Sequence, residues 1–179
     1  MILALYEHRD GIETSNGNRV VYDLDRDEAH FGAARVDGHA LRWELGREAE
    51  PHVKLAAEVD LDPRGDWLVR CDRIDFPPGG VAYAHTHPGP GIRCLLFGSI
   101  RIEVGGEAHE FGPLEPWFES GPEPVFAAAS DSEPTGFVRV MLLPREWEGK
   151  RTIRYVDPDD ENKPKRQRAT VFFDQPLAL

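Results

Sequence analysis

The chain is poor in cysteine, in long apolar runs and in positive charge. Two cysteines, Cys71 and Cys94, among 179 residues cannot build the disulfide framework of a small secreted domain, and no Cys-x-x-Cys pair is present. Reduced thiols in a cytoplasmic protein are therefore expected. Cys94 reads as a buried structural thiol. The opening Met1-Ile2-Leu3-Ala4-Leu5 is followed at once by Glu7, His8, Arg9 and Asp10, too short a stretch for a secretion signal, and no run approaches a membrane span. No membrane partner is expected. With 21 bases against 32 acids the net charge is −11, which repels phosphate backbones and argues against a nucleic-acid partner. A Gly-x-Ser-x-Gly elbow, a phosphate-binding Gly-x-x-x-x-Gly-Lys-Ser/Thr loop and a dinucleotide-binding glycine pattern are all missing.

Turn formers and short apolar runs are plentiful. Seventeen Gly, 15 Pro and 40% hydrophobic residues suit one buried core cut into many short strands. Candidate strands run over 67–71, 81–87, 92–97, 100–104, 117–118, 125–129 and 137–143. They are separated by Pro77-Pro78-Gly79-Gly80, Pro88-Gly89-Pro90-Gly91, Gly105-Gly106, Gly112-Pro113 and Gly121-Pro122. No alternating helices accompany them, so an all-β, antiparallel barrel or jelly roll is the expected architecture. Residues 1–65 add short strands at 19–22 and 39–45, with turns at Asn16-Gly17 and Asp37-Gly38, and read as strands or a flap packed on the barrel. Residues 66–143 form the barrel and 144–179 a C-terminal extension. The extension carries Asp157, Asp159, Asp160 and Glu161 before Lys163, Lys165, Arg166 and Arg168, read as a solvated loop, and Val171-Phe172-Phe173, apolar enough to dock on the barrel or on a second subunit.

The densest pattern lies between Gly79 and Gly98: Gly79, five residues, His85-Thr-His87, three residues, Gly91, six residues, Gly98. This spacing resembles the first motif of the cupin superfamily, in which a Glu stands where this chain has Gly91. The resemblance implies a double-stranded β-helix, the RmlC-like jelly roll, with His85 and His87 as two metal ligands and the Glu ligand lost. The second cupin motif is eroded. Its expected His falls at Ala127 or, with an offset, at Phe126, Val125 or Pro124, none of which binds metal.

Strand alternation places Val81, Tyr83, His85 and His87 on one face, with the two His about 7 Å apart along the strand. Two imidazoles on one face suit a divalent metal such as Fe, Mn, Ni or Zn. Glu119 is the leading third donor, with His109 and Glu103 behind it. The same alternation sends Gly91, Arg93, Leu95 and Phe97 inward, and Arg93 there favours a carboxylate or phosphate. Trp117, Phe97 and Phe126 are expected to fill or line the interior, and Tyr83 is a candidate proton donor. His52 could reach the barrel mouth.

The expected function is small-molecule binding, with a pocket at His85, His87 and Arg93 for an anionic or carbonyl-bearing metabolite. A rival is a metal-dependent enzyme, a dioxygenase, isomerase or lyase, using His85, His87 and Glu119. A third reading is a metal-free acid/base isomerase with a histidine base and Tyr83 as acid, and a fourth a non-catalytic scaffold. The family resemblance further implies a homodimer.

Overall fold

The computed structural model describes residues 1–164 and 166–179, so Lys165 of the basic run lies outside the described residues. In chain order the strands are β1 Ile2–His8, β2 Ile12–Thr14, β3 Arg19–Asp23, β4 Glu28–Phe31, β5 Ala34–Val36, β6 Ala40–Gly46, β7 Leu55–Glu58, β8 Trp67–Phe76, β9 Val81–Thr86, β10 Gly91–Phe97, β11 Ile100–Val104, β12 Glu107–Phe111, β13 Pro116–Glu119, β14 Val125–Ala129, β15 Thr135–Pro144, β16 Arg154–Tyr155 and β17 Arg168–Pro176. The described helices are two short 3₁₀ turns, Arg145–Trp147 and Pro158–Asn162. No described helix is long and apolar enough to cross a membrane.

From β8 to β11 the chain runs outward and from β12 to β15 it returns, each strand pairing antiparallel with its mirror partner: β11 with β12, β10 with β13, β9 with β14, β8 with β15. The long double ribbon is folded across two facing sheets, ordered β13-β10-β15-β8-β17 and β12-β11-β14-β9-β16. That is an eight-stranded jelly roll, to which the C-terminal extension adds one edge strand per sheet. The exposed edge strand β12, with Glu107, Ala108, His109 and Glu110 all at the surface, has no apolar alternation by which the sequence announces it.

Residues 1–58 form a third sheet, ordered β4-β3-β6-β1-β7, with β2 and β5 as a separate small pair. Leu3, Leu5, Val20, Tyr22, Leu41, Trp43 and Leu45 of this sheet pack on Val69, Cys71, Ile92, Cys94, Val138, Val140 and Leu142, the outward row of the first barrel sheet. The first barrel sheet is therefore covered on both faces. Its central strand β15 is buried from Thr135 through Leu143, which explains an almost unbroken apolar run. On the other face, Ile74, Phe76, Leu95, Trp117 and Phe137 meet Ala82, Ile100, Ile102, Val125, Ala127 and Ala129 of the second sheet across the barrel interior. Phe172 and Phe173 dock on the N-terminal sheet, against Tyr22 and Phe31 with ring centroids 5.7 and 6.2 Å apart.

Candidate functional site

A cavity of about 460 Å³ opens inside the barrel, lined by the apolar Ile74, Phe76, Trp117, Val125, Ala127 and Phe137 and by the polar His85, His87, Glu119, Asp72 and Arg139. Its position follows from alternation. On β8 and β15 the residues Arg70, Asp72, Ile74, Phe137 and Arg139 take the inward parity, while Val69, Cys71, Val138 and Val140 face the N-terminal sheet.

Two irregularities re-aim the side chains of the first motif. On β9 the ladder to β14 steps from Val125↔His85 to Ala127↔Ala82, so β9 carries one residue more than its partner between these pairs. This bulge switches the face, turning Ala82 and His85 both inward and leaving Tyr83 outside. The Tyr83 ring lies 4.5 Å from the ammonium of Lys163 and does not line the cavity, so the structure removes it as a proton donor to the cavity. A second shift, between Leu95 and Phe97 on β10, sends Phe97 out to the Arg73 guanidinium, 5.4 Å away. Phe126 alternates outward between Val125 and Ala127, so neither phenylalanine is a wall residue.

The bulge also supplies a second anchor. The Nδ1–H of His85 donates to the Tyr83 carbonyl oxygen at 2.7 Å, which fixes the tautomer and leaves Nε2 as an unprotonated acceptor. His87 is held in the same sense: Nδ1–H donates to the Thr152 carbonyl at 3.3 Å, and Nε2 accepts from Nη1 of Arg139, also at 3.3 Å. The two rings meet edge to face with centroids 4.9 Å apart. Burial holds the pKa of His85 below its ordinary value, against the pull of Glu119. Burial, with Arg139 and Arg93 nearby, pushes His87 well below it. Both imidazoles are therefore neutral at pH 7.

Facing them is a row of charged residues in cross-strand register, Arg93 opposite Arg139 and Arg139 opposite Asp72. Two buried like charges side by side require compensation. Arg139 forms a bidentate pair with Asp72, Nε to Oδ1 at 2.6 Å and Nη2 to Oδ2 at 2.9 Å. Burial works against the Arg139 charge, but Asp72 in contact and Glu119 beyond it outweigh that and raise its pKa. Arg93 is wholly buried beneath this row and is absent from the cavity wall. Its Nη2 stands 2.6 Å from Glu119 Oε2, while Nη1 donates to the Gly91 carbonyl at 2.7 Å. Burial pulls its pKa down to about 10, with Glu119 opposing. Arg93 shares the inward parity of Arg139, but its guanidinium is claimed by Glu119 and does not line the cavity, so the expectation that it enters the cavity is corrected and Arg139 is the guanidinium on the wall.

Glu119 lies opposite Gly91 in the ladder, so its carboxylate arises beside the position where the cupin motif has Glu. Its Oε1 accepts from Trp117 Nε1 at 2.8 Å, and its Oε2 is 3.7 Å from His87 Nε2. These donors do not fit a metal ion. One guanidinium is bonded to the lone pair of His87 and another sits against Glu119, and among the described residues no group of three His, Cys, Asp or Glu side chains is placed to hold a cation. The other proposed donors, His109 and Glu103, line no part of the cavity. His109 lies near Glu107 and Glu103 pairs with Arg101 on the exposed β11–β12 hairpin. His52 is exposed and equally remote from the cavity wall.

Sequence reading missed Arg139, Asp72, Arg70 and Thr152. The available signal was a lone arginine in the apolar run Phe137–Leu143. Outside the charged run, the extension also contributes to the site, since Gly149–Ile153, Ala169 and Val171, with Gln167 from within the run, line the cavity. Arg70 ties it there, donating to both Asp174 carboxylate oxygens at 2.6 Å and to the carbonyls of Lys150 and Trp147 at 2.6 and 3.2 Å. Cys94 faces the N-terminal sheet, and burial raises its pKa to about 12, so it has no part in the cavity.

No family model and no curated protein matches the chain. Among solved structures it is similar to an RmlC-like cupin from Shewanella frigidimarina, at 17% identity over 44% of this chain and 68% of the other, with a TM-score of 0.40. A polyketide cyclase from Streptomyces resistomycificus is matched at 22% identity over 49% of this chain and 61% of the other, with a TM-score of 0.41. For a DMSP lyase from Ruegeria pomeroyi the figures are 17%, 51% and 44%, with a TM-score of 0.44. Likenesses this distant bear on nothing beyond fold, and the fold stands on its own strand pairing. By that pairing, and by the spacing around His85-Thr-His87, the chain has the jelly-roll barrel of the cupins.

Proposed function

We propose that the barrel binds a small organic molecule with an apolar body and one carboxylate or carbonyl end. The observation that carries this reading is a cavity whose walls combine aromatic and aliphatic side chains with a small cluster of polar and charged ones. A volume of about 460 Å³ falls within the usual span of ligand pockets, about 300–1,000 Å³. The body of the ligand packs on Ile74, Phe76, Trp117 and Phe137, and its oxygen is received by Arg139 with His85 alongside. Native mass spectrometry of freshly purified protein, followed by a thermal-shift screen of small carboxylates and ketones, tests the reading. Saturable binding that disappears in Val125→Trp, which fills the cavity, is the expected result. A screen with no saturable binder, or binders indifferent to Val125→Trp, overturns it.

One observation favours a further step of chemistry. His85 is neutral, its tautomer is fixed by the Tyr83 carbonyl, and its Nε2 has no partner among the described residues. A base so placed accepts a proton from a carbon beside the ligand carbonyl, as in a metal-free isomerase, with Arg139 stabilising the oxyanion that forms. Tyr83 is not its acid partner. Solvent-deuterium incorporation into a ligand found by the screen, lost in His85→Gln, is the expected sign; exchange unchanged in that variant removes His85 from the role.

A further inference from the structure

We infer that Arg139 is the resident cation of the cavity, standing where His85, His87 and Glu119 would otherwise converge on a metal ion and offering its charge to the ligand in the ion's place. Three observations converge on this. First, Nη1 of Arg139 occupies the lone pair of His87 Nε2, the atom a metal would take, at 3.3 Å. Second, the guanidinium is held in one orientation on three sides, by the bidentate Asp72 pair, by His87 and by Thr152 Oγ1 at 3.5 Å from Nη2. A rigid fork of this kind loses little entropy when it meets a carboxylate. Third, it still lines the cavity although it is almost wholly buried, and with Nε, Nη2 and one Nη1 proton engaged by Asp72, Thr152 and His87, one Nη1–H is left for a ligand oxygen.

The two histidines consequently divide their work. His87 is a positioning residue: its Nδ1–H is fixed by the Thr152 carbonyl so that Nε2 can accept from Arg139. His85 keeps a free Nε2. The ligand needs one anionic or strongly polarised oxygen for Arg139, and it does not need the adjacent pair of donor atoms by which a metal chelator is recognised.

This inference goes beyond the binding reading and can be tested with no ligand in hand. Co(II) alone is the probe, titrated into the full chain and followed by its absorption spectrum. The wild-type protein is expected to show no Co(II) at the histidines. Arg139→Gln removes the cation and should bind Co(II) at least about a hundredfold more tightly, as follows from lifting the repulsion between a unit charge and a divalent ion at contact. Arg139→Lys keeps the charge and should behave as wild type. Adding His85→Ala to Arg139→Gln should abolish the new site. Because Arg139→Gln leaves Asp72 buried and unpaired, Asp72→Asn/Arg139→Gln serves as a charge-balanced second variant, expected to gain Co(II) binding in the same direction but by a smaller factor, since it frees the His87 lone pair without changing the net charge of the site. Stoichiometric Co(II) at His85 and His87 in the wild type overturns the inference. So does a folded variant lacking the cation that takes up no more Co(II) than Arg139→Lys does. Neither outcome touches the screen for organic ligands, so the two proposals fail separately.

Discussion

At Gly91 an added Cβ would stand 2.5 Å from the carbonyl oxygen of Val140 and 2.9 Å from Cγ of Met141. The nearest obstacle is backbone of β15, so it cannot swing aside as a side chain would. A glutamate, which the motif that this spacing resembles has here, is therefore barred, and the carboxylate of the site comes from Glu119 across the ladder. Gly91→Ala should destabilise the protein by about 1–3 kcal/mol, the usual range for forcing atoms into a filled core. A lower urea midpoint with an unchanged m-value is the expected measurement, and an unchanged midpoint would mean that β10 can move off β15. At this scale the sequence was legible where a residue's role depends on local spacing. His85 and His87 were visible as a pair. Arg139 was not, because its meaning lies in three partners drawn from β8, the residue just after β9 and the extension. Arg93 and Arg139 share the inward parity, and alternation alone cannot say which of the two Glu119 claims and which lines the cavity.

Seven barrel strands could be read from apolar runs between Gly-Pro turns, and alternation held wherever the ladders are regular. It broke at the bulges in β9 and β10, where one extra residue reverses the face of everything beyond it. Tyr83 and Phe97 were misplaced for that reason, and no residue type in either stretch announces a bulge. β17 was hidden differently: its apolar Val171-Phe172-Phe173 shows no strand alternation and is flanked by polar residues, and it becomes ordered because it pairs with the edge of β8 and because Arg70 reaches across to Asp174. Arg70 is nearly fully buried, so losing its carboxylate would leave a buried unpaired cation. Asp174→Ala should therefore cost about 3–5 kcal/mol. Hydrogen exchange should show lost protection concentrated in β17 and in the segment around Gly149, whose amide also donates to Asp174 at 2.8 Å. Protection unchanged there would mean that β-pairing alone holds the extension.

The whole molecule is three sheets thick, and the middle one belongs to two cores. Were the N-terminal sheet to melt alone, Val69, Cys71, Ile92, Cys94, Val138, Val140 and Leu142 would lose their cover, and the strands carrying Asp72, Arg93 and Arg139 would lose support from behind. Exposing that much apolar surface carries a free-energy cost that the barrel would have to bear. The two parts should therefore unfold in one transition although the sequence divides into an N-terminal segment and a barrel. Trp43 tests this at the junction, since it is fully buried in the N-terminal sheet and its Nε1–H donates to the Ile92 carbonyl of β10 at 3.2 Å. Trp43→Ala should cost about 3–5 kcal/mol. The remaining tryptophans, Trp67, Trp117 and Trp147, all lie in the barrel and the segment after it, but Trp67 packs on the core shared with the N-terminal sheet and donates to the Asp62 carbonyl, so with Trp67→Phe added the fluorescence reports Trp117 and Trp147 on the barrel side while far-UV circular dichroism reports every sheet. The two signals should share one denaturation midpoint, lowered relative to wild type. A circular-dichroism transition that precedes the fluorescence transition would show the N-terminal sheet leaving first, and the barrel would then stand as an independently stable unit.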